Sequence, residues 1–119
     1  CVKENDHLLS MAWLYYNGTN SQRRASYFPL RPGNAWLHSA WTNPMYRGKN
    51  LHKLLIYFRA RYALKLSHLN ARPVFLEVNI DPKNEISLNN YKKCGFKDNG
   101  YIYLVHFWRK HFVWKREQK

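Results

Sequence analysis

Hydrophobic positions along this chain change rhythm several times, and each change predicts an element. Residues 7–16 are apolar and aromatic and run into the cluster Asn17-Gly18-Thr19-Asn20, which predicts a strand and then a turn. Arg23 to Leu30 predicts a second strand ended by Pro32-Gly33, and Ala35 to Thr42 a third ended by Asn43-Pro44. Three consecutive strands with turns between them suggest an antiparallel meander. The period then becomes helical. Leu51, Leu54, Leu55, Phe58, Tyr62 and Leu66 recur at spacings of three and four, with Lys53, Arg59 and Arg61 largely off that stripe. An amphipathic helix is expected over residues 48–66.

Pro73 introduces a short strand from Val74 to Ile80, with Val74, Leu76, Val78 and Ile80 on one face and Glu77 and Asn79 on the other. Asn84 reads as the N-cap of a second helix and Gly95 as its C-terminal stop. Phe96 to Phe107 returns to strand-like sequence, with Asn99-Gly100 as a kink or bulge. The stretch after Trp108 reads as a last strand or a fraying tail. The order is β-β-β-α-β-α-β. A helix joining the third and fourth strands makes that pair parallel, with a right-handed crossover. The expected class is mixed α/β, with helices against a mostly antiparallel sheet holding one parallel pair. Neither a repeat nor a linker divides residues 1–119, so one domain is expected.

Composition narrows the field. Hydrophobic residues at 45% and aromatics at 17% exclude a disordered tail. No uncharged apolar run approaches the roughly 18 residues of a membrane helix. Two cysteines, Cys1 and Cys94, are too few for a disulfide-stapled secreted domain, so a reducing, cytoplasmic setting is expected. Asn17-Gly18-Thr19 is open to two readings, a glycan acceptor or a hairpin turn. No export signal opens the chain, and its first residue is not Met, so an excised or processed piece of a longer chain is one expectation.

Twenty Lys and Arg against seven Asp and Glu leave a net charge of +13. That favours anionic partners: nucleic acid, a phosphorylated cofactor or an acidic membrane surface. The plain alternative is a solvated basic surface, because the charges are spread and only residues 109–119 concentrate them. The six histidines show no zinc spacing, so no metal site is expected. There is no G-x-S-x-G and no nucleotide-triphosphate P-loop. The aromatic, basic stretch from Tyr101 to Lys119 suits base stacking or, more simply, a packed strand.

Two stretches carry chemistry. Asn43 to His52 lies between a strand and a long helix, where successive backbone N–H groups meet the positive end of the helix dipole. Gly48 allows close backbone approach, and Arg47 and Lys49 add positive charge. Alone, a glycine before a helix is also an ordinary turn. On the second helix Asn84, Ser87 and Tyr91 stand at i, i+3 and i+7 and share one face. Read plainly, Tyr91 packs with a wet hydroxyl and Asn84 caps.

Together and in this order, Pro44 to Leu55, the strand Phe75 to Val78 and Asn84 to Phe96 resemble the Gcn5-related N-acetyltransferase (GNAT) superfamily. The resemblance is specific over residues 36–96 and extends over 8–107. The family's phosphate loop has the form R-G-x-G-x-G/A. Arg47, Gly48 and Lys49 match it, Asn50 stands where glycine is usual, and His52 where glycine or alanine is usual. Asn tolerates left-handed backbone better than most residues, so the loop shape is expected to survive.

The resemblance implies an acyl-CoA co-substrate, most simply acetyl-CoA. Backbone groups of Ala40, Trp41 and Thr42 would meet the pantetheine arm. Arg47, Gly48, Lys49, Asn50, Leu51 and His52 would cradle the pyrophosphate. The parallel strands would splay apart and leave a cleft for the thioester; Asn84 would contact the pantetheine or the following loop, and Ser87 would join the cofactor-binding residues. Tyr91 would protonate the departing thiolate. For the general base the resemblance offers His38 on the third strand, where many relatives carry Glu. Glu77 is the second candidate, and an ordinary half-buried strand histidine is the plain alternative for His38. The family's usual opening strand and two helices have no counterpart before Leu8. A minimal member, completion by another segment or removal of an N-terminal part would each account for this.

Two functions follow. One is an acetyl-CoA-dependent N-acyltransferase whose amine acceptor is a small molecule, a protein or an aminoacyl-tRNA. The other is a catalytically weak basic binding module for nucleic acid or an acidic partner. An oligomer is compatible with either.

Overall fold

The structure, a computed structural model, describes residues 1–16, 30–107 and 110–116. Strands β1 (Val2–Glu4) and β2 (His7–Tyr16) form a hairpin closed by Asn5 and Asp6, with φ of 46° and 62°. Two successive left-handed residues give the tight turn whose twist matches the strands it joins. β1 is too short to show alternation, so the sequence pattern does not predict it.

β2 pairs antiparallel with β3 (Ala35–Thr42), from Tyr16↔Ala35 to Trp13↔His38 and again at Met11↔Trp41 and Ser10↔Thr42. Between those blocks two steps along β2 face three along β3. β3 therefore carries one extra residue at Ser39-Ala40, and Ser39 has φ of 51°. β3 pairs parallel with β4 (Leu76–Val78) only from Ala35↔Leu76 to Leu37↔Val78. The sheet order is β1-β2-β3-β4. β5 (Tyr101–Phe107) and β6 (Lys110–Arg116) form a separate antiparallel pair.

The expected class and the parallel pair are present. Several bounds differ from expectation. The strand expected over 74–80 contracts to β4, and the one expected from Phe96 begins at Tyr101. The stretch after Trp108 supplies β6. The Asn17-Gly18 turn, and all of the expected strand 23–30 except Leu30, lie outside the described residues.

Helices α1 (Leu51–Leu69) and α2 (Glu85–Lys93) complete the fold. The face of α1 is a correction. Its buried residues are Leu55, Ile56, Arg59 and Ala63, whereas Leu54, Phe58 and Tyr62 of the expected stripe are exposed. At 100° per residue the buried face is turned by about a quarter of a revolution. Counting apolar residues misses it because an arginine occupies one of its places. The core joins Leu37, Ile56 and Tyr91, with Leu14, Leu76, Val78, Ile80 and Phe96 packed around them.

A Pro-Gly turn leads into β3. Asn34 N–H donates to the Arg31 carbonyl at 3.1 Å, and Gly33 sits at φ of 79°. Among the described residues no helix is long and apolar enough to cross a membrane.

Candidate active site

Past Leu37 and Val78 the parallel strands part. His38, Ser39 and Ala40 line one wall of the resulting cleft, and Asn79, Ile80 and Asp81 the other. α2 contributes Asn84, Ser87 and Tyr91, and α1 contributes His52. The cleft has a volume of about 150 Å³. The bulge in β3 sits at its mouth and turns the strand where its β4-facing edge loses its partner.

The two helices open differently. Asn84 caps α2 with its side chain, accepting from Ser87 N–H at 3.1 Å, and Glu85 follows in the first turn. Asn50 precedes α1 at φ 60° and ψ 15°, makes no side-chain cap, and no acidic residue lies in the first turn. Gly48 just before it has φ of 78°, and a Cβ there would meet open space. The left-handed loop expected from Gly48 and Asn50 is thus present. Among the described residues it leaves the first N–H groups of α1 without a capping side chain, beside exposed Arg47 and Lys49. Arg47 Nε donates to the Thr42 carbonyl at 3.3 Å and ties the loop to the end of β3. Lys49 Nζ stands 4.9 Å from the centre of the Tyr46 ring.

Of the backbone groups at the end of β3, the Trp41 carbonyl accepts from Ser10 Oγ at 2.9 Å. Ser10 Oγ also lies 2.8 Å from Thr42 Oγ1, so a buried serine pins this strand end. Ala40 lines the cleft directly, whereas Trp41 and Thr42 do not.

Tyr91 is buried, and its hydroxyl accepts from Arg59 Nη2 at 3.3 Å. Phe96 meets its ring edge-on at 5.1 Å and His52 at 5.3 Å. His52 turns its side chain into the cleft. Its Nδ1 lies 3.4 Å from Asn90 Nδ2, and its Nε2 is buried with no hydrogen-bond partner among the described residues. Its backbone still belongs to the first turn of α1, where the loop ends. Leu51, half-buried, opens that turn.

His38 stacks on Trp36 at 4.5 Å, and its Nδ1 lies 3.0 Å from Ser39 Oγ. Burial first, and then the Arg59 charge, hold both His38 and His52 below the ordinary histidine value. Both rings stay neutral, and able to accept a proton, further into the acid range than a free histidine. Glu77 does not line the cleft. Its Oε1 accepts from the buried Asn34 Nδ2 at 2.7 Å, near the start of the parallel pair.

Arg59 lies off the apolar stripe that the spacing marks on α1, so hydrophobic periodicity does not find it. It is only 7% exposed and is held by three bonds: Nε to the Leu55 carbonyl, Nη1 to the Trp13 carbonyl and Nη2 to Tyr91. The signal was available as a second stripe, His52, Ile56, Arg59 and Ala63, at helical spacing with two ionisable members.

Fold and cleft define a mixed α/β protein with a cleft between two parting parallel strands, lined by residues of both helices. The sequence model of the acetyltransferase (GNAT) family matches residues 1–96, and the chain belongs to that family. An acyltransferase-type function follows from membership. Neither the curated proteins nor the solved structures give a significant match.

Proposed function

We propose that the chain is an acyl-CoA-dependent N-acyltransferase that moves acetyl from acetyl-CoA to a primary amine. The observation that carries this reading is the cleft itself, where Tyr91, His38 and His52 of the first turn of α1 line the gap between β3 and β4. The pyrophosphate fits the α1 N-terminus because Arg47, Gly48, Lys49, Asn50 and Leu51 surround first-turn N–H groups that Asn50 does not cap, with no carboxylate in that turn. Ala40, Trp41 and Thr42 offer backbone to the pantetheine arm, and Asn84 and Ser87 border it on the α2 side.

In the reaction the amine nitrogen bonds to the thioester carbonyl carbon and the carbon–sulfur bond breaks. Tyr91 gives its hydroxyl proton to the departing sulfur. His38, kept neutral by burial and by Arg59, takes the proton the amine loses. Glu77 is the less suited base, because its carboxylate is engaged by Asn34 away from the cleft. The setting this implies is the cytoplasm, where both exposed cysteines stay as free thiols.

The net charge of +13 favours a second reading, a basic module that binds nucleic acid or an acidic partner. It also favours a polyanionic acceptor such as aminoacyl-tRNA over a polycationic one. Calorimetry with acetyl-CoA separates the readings. Binding with release of free thiol on addition of an amine supports the enzyme. Salt-sensitive RNA binding with no response to acetyl-CoA would replace it with the module.

A further inference from the structure

We propose that Arg59 is the positioning residue of the proton donor: its guanidinium, anchored on two carbonyls, aims the Tyr91 hydroxyl and balances the phenolate left when that proton moves to sulfur. This rests on the acyltransferase reading above. The geometry is specific. A guanidinium has five N–H donors in a rigid fork and no acceptor. Here Nε and Nη1 are spent on the Leu55 and Trp13 carbonyls, from α1 and β2, at 3.1 and 3.2 Å. Nη2 is left pointing at Tyr91 Oη from a third element, α2.

Because arginine can only donate, the Tyr91 oxygen must accept from it. The phenolic hydrogen is thereby turned away from Arg59 and is free to be donated elsewhere. A buried cation is costly unless its surroundings compensate it, and its partners among the described residues are neutral. Transfer of the Tyr91 proton supplies the missing anion at Oη, so the pair is more favourable after the transfer than before it. That is the differential stabilisation catalysis requires. Electrons of the carbon–sulfur bond stay on sulfur, the sulfur takes the Tyr91 proton, and the amine proton goes to His38. Return of that proton through solvent to the phenolate resets the site.

The same charge acts on the other titratable groups of the cleft. The titratable groups there are His38 from β3, His52 from α1, Asp81 from the β4–α2 connection and Tyr91 from α2. Arg59 disfavours the protonated form of both histidines. One cation thus sits against the hydroxyl that gives its proton and keeps the base unprotonated.

The test is a double-mutant cycle with Arg59→Lys and Tyr91→Phe, read as thiol release from acetyl-CoA with hydroxylamine as acceptor. Hydroxylamine is small and largely unprotonated at neutral pH, so it needs neither an acceptor pocket nor a base. Arg59→Lys keeps a cation but loses the fork. It is expected to lower kcat by about tenfold or more, with the KM for acetyl-CoA changed less than about twofold. In the Tyr91→Phe background the same change is expected to cost less than about twofold, because the group it acts through is gone. Arg59→Gln is expected to move the acid limb of kcat/KM for an alkylamine to higher pH, and histidine side-chain NMR to show the same shift without turnover. Independent, multiplying losses in the cycle with an unmoved acid limb would reduce Arg59 to a packing residue and leave the acyltransferase reading standing. A wild type that neither binds acetyl-CoA nor releases thiol overturns both. Should Arg59→Gln fail to fold, the lysine variant and its cycle decide alone.

Discussion

The imidazole of His52 meets the ring of Tyr91 edge-on, with centroids 5.3 Å apart and planes at 81°, and buries its Nε2 without a partner among the described residues. A protonated imidazole in that place would carry charge into the core beside Arg59. The folded state therefore binds the His52 proton less readily than the unfolded chain, which takes it up near 6.5. Below that value the unfolded state holds more protons, so stability falls as pH drops from about 6.5 toward the lower folded value. His52→Gln is expected to flatten this part of the curve. Melting temperatures from pH 8 to pH 5 check it, and parallel curves for the two proteins would mean that His52 titrates alike folded and unfolded.

Gly48 and Asn50 shape the loop that precedes α1. A side chain at Gly48 would meet open space, so its cost is the positive φ alone. Gly48→Glu puts a negative charge where the reading places phosphates. Acetyl-CoA at a hundred times its Kd is expected to add about 2.7 kcal/mol, a melting rise of order ten degrees. The variant is expected to stay folded and lose that rise. A full rise in the variant would move the pyrophosphate elsewhere.

Much of the local structure around the candidate site is legible in the sequence. Strand β3 falls at the expected bounds, Asn84 caps α2, and Asn50 takes the left-handed backbone foreseen for it, because each depends on local chemistry. What was not legible is tertiary. Periodicity counted Phe58 and Tyr62 as core, yet α1 turns Arg59 inward because two carbonyls and a hydroxyl from three elements satisfy it. His52 reads from the loop pattern as a phosphate-cradle residue. Its side chain goes to the cleft, a direction that depends on where α2 lies. The bulge at Ser39 depends on the register with β2 and leaves no mark in composition.

Gly33 is tested differently. A Cβ there would fall on the Arg72 guanidinium, whose Nη2 donates to the Pro32 carbonyl at 3.0 Å, and φ is already 79°. Gly33→Ala must displace Arg72 and strain the turn into β3. A loss of about 1–3 kcal/mol is expected, seen as a lower denaturation midpoint with an unchanged slope. An unchanged midpoint would mean that Arg72 moves aside freely.

Tyr91→Phe removes two things at once, a proton and the acceptor of Arg59 Nη2. Turnover is expected to fall by roughly 10²–10⁴ with acetyl-CoA affinity little changed. Stability is expected to fall by about 1–3 kcal/mol, because a buried donor loses its partner. Calorimetry, steady-state kinetics and denaturation separate these effects. Full turnover with chemistry rate-limiting would remove Tyr91 as the acid.

His38 stands on β3 where the parallel strands part, half-buried and stacked on Trp36. Its lowered pKa keeps it unprotonated at pH values where a free histidine, at 6.5, has begun to gain charge. As a base it helps most when the amine arrives protonated, and least when the solution has already deprotonated it. His38→Gln is therefore expected to slow alkylamine acetylation strongly near neutrality and progressively less toward high pH, with thermal stability close to that of the wild type. The wild-type acid limb of kcat/KM should lie below 6.5, since protonation of His38 switches the base off only there. Profiles of kcat/KM from pH 5.5 to pH 9.5 for the two proteins decide the matter. Parallel profiles would make His38 a positioning or packing residue and return the base role to Glu77 or to water.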